Sequence, residues 1–387
     1  MRRFWLGIFS LIMLVSCSKS TGSDPVTPPI TPIIPTPPTP PTTTPLNSDF
    51  IRGADLSFTP EIVAAGTVFK DNNQTKDLVQ IFKDKGINTI RLRIWHTPVD
   101  THSSLTEVLE FAKSLNVKGF SIWLDIHYSD TWADPGNQTK PAAWKNASLS
   151  VLKDSIYQYT SNTVQAFKSA GITLKIVQIG NETNSGFLWD LGKVGGTFDT
   201  NWGNYALLVK EGLRAVKDVS SSTKTMLHIA GFDAADWFFS NITAQSVSFD
   251  YIGLSYYPVW HGKSLDALQT SLTSLINKYQ KPIIIAETSY PFSLGWNDYT
   301  NNVVGNTSQL IPAYDATPDG QNAYTKALFE VMRKLPSQQG MGICWWAPDW
   351  VSFKGSTATN GSNAENLTLF DFNNNALPAL TSLGTYQ

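Results

Sequence analysis

The chain has 387 residues, 29 of them basic and 31 acidic, for a formal net charge of −2. That balance gives no electrostatic footprint for nucleic acid or for an acidic polymer. Two cysteines are too few for a disulfide scaffold, whereas 13 tryptophans, 13 tyrosines and 20 phenylalanines supply abundant flat aromatic surface.

In chain order, the first segment is Met1-Arg2-Arg3, a basic start, followed by the nearly continuous apolar run Phe4–Val15 and then Ser16-Cys17. This layout is a secretory signal rather than a membrane span, which needs about 20 apolar residues. The ending Leu14-Val15-Ser16-Cys17 resembles a bacterial lipoprotein signal. The resemblance implies removal of residues 1–16 and lipid on the Cys17 thiol, which anchors the chain to a membrane without spanning it. Ser18 after the cysteine is compatible with outer-membrane delivery, so the expected location is the bacterial cell envelope. From Asp24 to Pro45 the chain is little but proline and threonine, with ten of the 22 prolines. Proline fixes φ and removes a donor, so residues 17–47 are expected to form an extended lipid-anchored linker. At about 3.1 Å per residue the Pro/Thr stretch could hold a domain roughly 70 Å from its anchor.

Residues 48–387 are expected to form one domain. Eight strand-like runs follow: Phe50–Leu56, Thr89–Trp95, Ser121–His127, Leu174–Gly180, Thr225–Ala230, Tyr251–Ser255, Pro282–Glu287 and Met341–Trp346. Several are almost wholly apolar, as strands of a parallel sheet covered by helices are. Segments such as Lys76–Lys85 and Leu105–Leu115 between them carry apolar positions three and four apart, the helical spacing. Alternating strands and helices predict an α/β fold, and eight units predict a single (β/α)₈ TIM barrel. No glycine-rich nucleotide fingerprint follows the first strand. Cys344, in the apolar run Gly342–Trp346, is expected to be a buried thiol, and nothing suggests more than a monomer.

The strand ends carry the chemistry. Glu182 follows the fourth run and Glu287 ends the seventh, at the mouth where such a barrel builds its active site. Two carboxylates there can supply the acid/base and the nucleophile of a glycoside hydrolase. Period-2 alternation points Arg91, Arg93 and Trp95 to one side, and an inward arginine favours the charged form of a nearby carboxylate. Asp125 and His127 end the third run, Tyr256 and Tyr257 follow the sixth, and Trp345 and Trp346 end the eighth. No second histidine or cysteine stands at ligand spacing from His127, so no metal is expected at the site and no cofactor for catalysis. Trp132, Trp189, Trp260, Trp296 and Trp350 fall in segments after strands, where aromatic faces can stack on sugar rings. Such a surface favours an extended glycan cleft over a small-metabolite pocket.

Asn181-Glu182 with Glu287 resembles the retaining glycosidases of clan A. Six strings resemble glycoside hydrolase family 53, the endo-β-1,4-galactanases: Gly53–Asp55, Arg91–Trp95, Asp125–Pro135, Val177–Glu182, Gly253–Gly262 and Glu287–Pro291. The resemblance spans about residues 50–387 and implies hydrolysis of galactan or type I arabinogalactan. In it, Glu182 is the acid/base, Glu287 the nucleophile, and Asn181 binds the sugar 2-hydroxyl. Arg91 or Arg93 keeps Glu287 charged, and Tyr257 and His127 position the nucleophile and the ring. Substrate contacts are expected from Arg91, Arg93, Asp125, His127, Trp132, Asn181, Tyr256, Tyr257, Trp260, Trp296, Trp345 and Trp346. The chain departs from the pattern at Ala347, where many relatives carry glutamate before the proline. Some bacterial relatives bind calcium after strand seven; here Trp296–Asn302 offers oxygen ligands without their Asp/Gly/His-rich string, and a structural calcium is an open expectation. Rival readings are a clan-A glycanase acting on another β-1,4-glycan and a non-catalytic surface glycan-binding lipoprotein.

Overall fold

Eight strands, β1 (Ile51–Asp55), β2 (Thr89–Ile94), β3 (Ser121–Ile126), β4 (Leu174–Ile179), β5 (Lys224–Ala230), β6 (Tyr251–Ser255), β7 (Ile283–Thr288) and β8 (Gly340–Trp345), close into a barrel. Each strand pairs in parallel with the next in sequence, and β8 pairs with β1. A helix follows each strand: α1 (Leu78–Asp84), α2 (Leu105–Val117), α3 (Leu149–Ser169), α4 (Trp202–Val219), α5 (Ala235–Ala244), α6 (Leu265–Tyr279), α7 (Pro318–Arg333) and α8 (Pro378–Thr385). These coordinates are a computed structural model that describes residues 44–387; the expected signal, Cys17 and most of the Pro/Thr linker lie outside the described residues. The eight expected strands are all present, with ends shifted by a residue or so where terminal pairing frays.

Two apolar layers hold the barrel. The larger lies between strands and helices. The smaller fills the barrel interior with Ile51, Trp123, Ile176, Met226, Ile284, Ala286 and Cys344, the inward residues that pack a TIM barrel solid. Room inside is so limited that a Cβ on Gly253 would fall 2.5 Å from the Met226 sulfur. Helix starts are fixed locally: the side chains of Asp77, Ser104, Ser148, Ser264 and Thr317 each accept a backbone N–H from the first turn that follows, worth about 1 kcal/mol apiece. The Arg52 guanidinium donates to the carbonyls of Leu383 (3.2 Å) and Tyr386 (2.7 Å), tying the end of the chain to β1.

Packing starts slightly before residue 48. Leu46 already rests on the core, and the Asn47 amide donates to the Gln338 carbonyl at 3.4 Å. Gln338 lies two residues before the start of β8, so the chain joins the barrel on the face where the strands begin. One element was not anticipated, a hairpin of Lys70–Asp71 and Gln74–Thr75. Its two turn residues, Asn72 and Asn73, both take positive φ, the conformation of tight hairpin turns that asparagine tolerates. Its strands are too short and polar to signal themselves.

Candidate active site

Arg91 organises the barrel mouth. Alternation along β2 turns it inward, where it is 1% exposed and lies over the Trp123 ring, 5.5 Å from its centroid. Its Nη1 donates to Asp55 Oδ2 at 2.7 Å, and its Nη2 reaches Asp125 Oδ2 at 2.8 Å, Glu287 Oε1 at 2.9 Å and Asn181 Oδ1 at 2.9 Å. Nε donates to Gln178 Oε1 at 3.4 Å. Burial opposes the guanidinium charge, but Asp125, Glu287 and Asp55 together outweigh it and push its pKa up.

The two candidate carboxylates sit in different surroundings. Glu287, near the end of β7, accepts from Arg91 on Oε1 and from the Tyr257 hydroxyl on Oε2 at 2.9 Å. Among the described residues, the Glu182 carboxyl has only Ser255 Oγ, 2.6 Å from its Oε1. Burial, then repulsion from Glu287, pushes Glu182 up to about 8. Burial also raises Glu287, to about 7, against the pull of Arg91. Glu182 is thus the group that stays protonated to higher pH, and Glu287 is the one held by a fixed cation. That is the asymmetry that separates an acid from a nucleophile. The backbone at Glu182 is left-handed, φ 47°, just beyond Gly180 at φ 80°. Strained turns of this kind gather where a site over-determines the chain.

Around this pair opens a cleft of about 470 Å³, lined among others by Asp55, Arg93, His127, Trp132, Asp134, Trp260 and Trp346. The His127 Nδ1 accepts from the Ala133 N–H (3.1 Å) and Trp95 Nε1 (3.3 Å), which leaves its Nε2–H for Asp125 Oδ2 at 3.0 Å. Trp260 stands at the rim, 60% exposed, with its ring edge-on to Tyr257. Trp132 packs among Phe58, Trp95 and Trp346. Apolar walls with a few converging polar groups form a site suited to an extended ligand carrying many hydroxyls.

Of the expected residues, the cleft brings together Glu182, Glu287, Arg91, Arg93, Asp125, His127, Trp132, Asn181, Tyr257, Trp260 and Trp346. Three are corrected. Tyr256 is buried with its hydroxyl on the Gly262 carbonyl, and Trp345 is buried with its indole N–H on the Leu367 carbonyl. Each is the outward neighbour of an inward aromatic, because side chains alternate at the strand end. Trp296 is exposed on the loop after β7 and does not line the cleft. Arg93 does not hold Glu287. Its Nε donates to Ser103 Oγ, and its guanidinium lies against Trp132, Phe58 and Trp95, with centroid distances of 4.1, 4.5 and 4.9 Å.

Asp55, Gln178, His228 and Ser255 were missed as site residues. Asp55 was legible from alternation along β1. His228 was not, since one histidine in the apolar run Met226–Ile229 looks like core.

The oxygens after β7 are only partly engaged by the loop itself. The oxygens of the buried Asp298 accept from the Thr300 N–H (2.7 Å) and the Ser352 hydroxyl (2.9 Å), and Glu365 Oε1 accepts from the Asn297 N–H at 2.6 Å. Two further buried oxygens of this region, Asn302 Oδ1 and Glu365 Oε2, have no partner among the described residues, while no group of three or more Asp, Glu, His or Cys side chains arranged to hold a metal ion occurs among them.

A closed parallel barrel with an asymmetric carboxylate pair at its mouth defines a (β/α)₈ glycoside hydrolase. The model of glycosyl hydrolase family 53 matches residues 51–383, and the chain belongs to that family. The arabinogalactan endo-beta-1,4-galactanase of Cellvibrio japonicus is 38% identical over 349 residues, covering 86% of this chain and 90% of the relative. The arabinogalactan endo-beta-1,4-galactanase A of Aspergillus niger is 36% identical over 327 residues, covering 82% and 89%. The solved GH53 catalytic domain of Ignisphaera aggregans superposes with a TM-score of 0.82 at 35% identity, covering 88% of this chain and 97% of that one.

Proposed function

We propose that this enzyme cleaves internal β-1,4-galactosidic bonds of galactan and type I arabinogalactan with retention of configuration. The observation that carries the reading is the division between a nucleophile pinned by Arg91 and Tyr257 and an acid left buried on one hydroxyl contact. The galactanase relatives supply the substrate. Glu182 protonates the glycosidic oxygen while Glu287 attacks the anomeric carbon. The bond to the leaving sugar breaks, and a galactosyl ester forms on Glu287. Glu182, now ionised, takes a proton from water, which hydrolyses the ester and restores both carboxyls. Asn181, fixed by Arg91 and by its amide on the Ala133 carbonyl (2.9 Å), faces the ring that reacts.

The deciding experiment is reducing-sugar release from linear β-1,4-galactan, beside β-mannan and carboxymethylcellulose, with the anomeric form of the first product followed by NMR. Oligosaccharides of the β-anomer from galactan alone are expected, and Glu287→Ala should abolish release. Cleavage of another glycan instead would overturn the substrate, an α-anomer would overturn the mechanism, and binding without cleavage would make the protein a glycan receptor. We further propose that the enzyme is held as a monomer in the bacterial cell envelope, at the outer membrane, by lipid on Cys17. The support is the Leu14–Cys17 ending ahead of a Pro/Thr tether.

A further inference from the structure

Behind Glu182 runs a file of buried hydrogen bonds that the chemistry above does not use. The carboxyl oxygen Oε1 meets Ser255 Oγ at 2.6 Å, Ser255 Oγ meets His228 Nε2 at 2.9 Å, and His228 Nδ1 meets Gln178 Nε2 at 2.9 Å. Ser255, His228 and Gln178 are each 1% exposed or less. Glu182 Oε2 has no hydrogen-bond partner among the described residues and is the oxygen left to the cleft.

The direction of this file can be worked out. Burial, reinforced by the nearby Arg91 charge, lowers the His228 pKa well below the usual imidazole value, so the ring carries one N–H. Two donors converge on Nδ1, the Gln178 amide and the Glu182 backbone N–H at 3.4 Å. Asn181 Oδ1 also lies 3.0 Å from Nδ1. That oxygen accepts from Arg91 at 2.9 Å, while the two Gln178 amide hydrogens are shared among Nδ1 at 2.9 Å, the Gly180 carbonyl at 3.1 Å and Asn181 Oδ1 at 3.2 Å; a proton on Nδ1 would be set against the closest of these N–H groups and against the Glu182 N–H. Nδ1 is therefore the acceptor and Nε2 carries the proton, which it donates to Ser255 Oγ. The single hydroxyl proton of Ser255 then has one destination, Glu182 Oε1.

We propose that Gln178, His228 and Ser255 are positioning residues that fix which oxygen of Glu182 bears the acid proton. With Oε1 held as an acceptor in both protonation states, the proton resides on Oε2, facing the glycosidic oxygen. The opposite tautomer would turn the Ser255 hydroxyl toward His228 and draw the acid proton onto Oε1, away from the substrate. The charged and titratable groups that face the file are Arg91, Asp125, His127 and His261 around His228, and Glu287, Arg91 and Asp134 around Glu182.

The inference rests on Glu182 being the acid, and the test separates the two. Ser255→Ala and Glu182→Ala would be assayed on galactan, whose leaving sugar needs protonation, and on 2,4-dinitrophenyl β-1,4-galactobioside, whose leaving group does not. Ser255→Ala should lose roughly tenfold in kcat on galactan and little on the aryl substrate. Its alkaline limb should move up by about half to one pH unit, because an ionised carboxylate loses a charge-assisted donor. The same loss on both substrates, with the limb unmoved, would overturn the file while leaving the acid in place. A Glu182→Ala variant indifferent to leaving group would instead overturn the acid itself. Nitrogen-15 spectra of the full-length wild-type enzyme, whose five histidines can be assigned by substitution, should show His228 protonated at Nε2 across the titration of Glu182. A proton on Nδ1 would sink the proposal without any variant.

Discussion

At Arg91, one guanidinium answers to three carboxylates and two amide oxygens, all within the barrel. A planar fork presents five N–H donors in fixed, spread directions, whereas a lysine ammonium offers three from a single point. Arg91→Lys should therefore lower kcat by 100-fold or more and destabilise the fold by about 3 kcal/mol, since it leaves buried carboxylates underpaired. Steady-state kinetics with urea denaturation would check both, and a variant stable but inactive would confine the role of Arg91 to Glu287. Alternation along β2 made this residue legible in the sequence but could not separate it from Arg93. The two share a face, yet one turn of the pleat carries Arg93 past Glu287 and into an aromatic cage built by Phe58 and Trp132 from other loops. Tyr256 and Trp345 misled for the complementary reason. Each adjoins an aromatic that does line the cleft, and parity decides between neighbours only once one inward residue is known.

At the scale of elements, the strands were readable because a barrel strand covered on both faces is nearly all apolar, as β7 is at Ile283–Ile285. The loops were not readable, because their shape depends on residues far away in sequence. The position of Trp296 follows from Glu365 receiving the Asn297 N–H, a contact no local pattern announces. The loop after β8 is pinned in the same way to the loop after β1. The Thr59 hydroxyl donates to Asp349, and Phe58 stacks on Trp350 with centroids 3.9 Å apart. Ala347 in this loop adopts a left-handed φ of 47°. Burial pushes Asp349 up to about 7, against an ordinary aspartate near 3.9. The folded state thus holds this proton more tightly than the unfolded chain does. Its contribution to stability is complete below about pH 4 and is lost as pH rises to about 7. Asp349→Asn removes that titration. Between pH 4 and pH 8 the variant should gain about 2–4 kcal/mol on the wild type, and parallel melting curves across that range would refute the assignment.

At the scale of the whole molecule, one barrel accounts for residues 46–387, and the features that suit it to a polymer are gathered on one face. The fold was legible as a count of eight alternating units. The proposed envelope attachment rests on a motif alone, at Leu14–Cys17. It predicts that Cys17→Ala moves the enzyme from the detergent-dependent membrane fraction to the soluble one without altering its turnover of galactan. An unchanged distribution would remove the lipid from the proposal.

Where the chain meets the barrel has a mechanical consequence. Leu46 packs on the core and Asn47 meets Gln338 on the face where the strands begin, and the cleft opens where they end, one strand length or about 20 Å away. The segment by which the described chain enters the barrel therefore lies on the face opposite the cleft and leaves the working face uncovered. A polymer far larger than the protein can lie across that face along its length without meeting this entry segment.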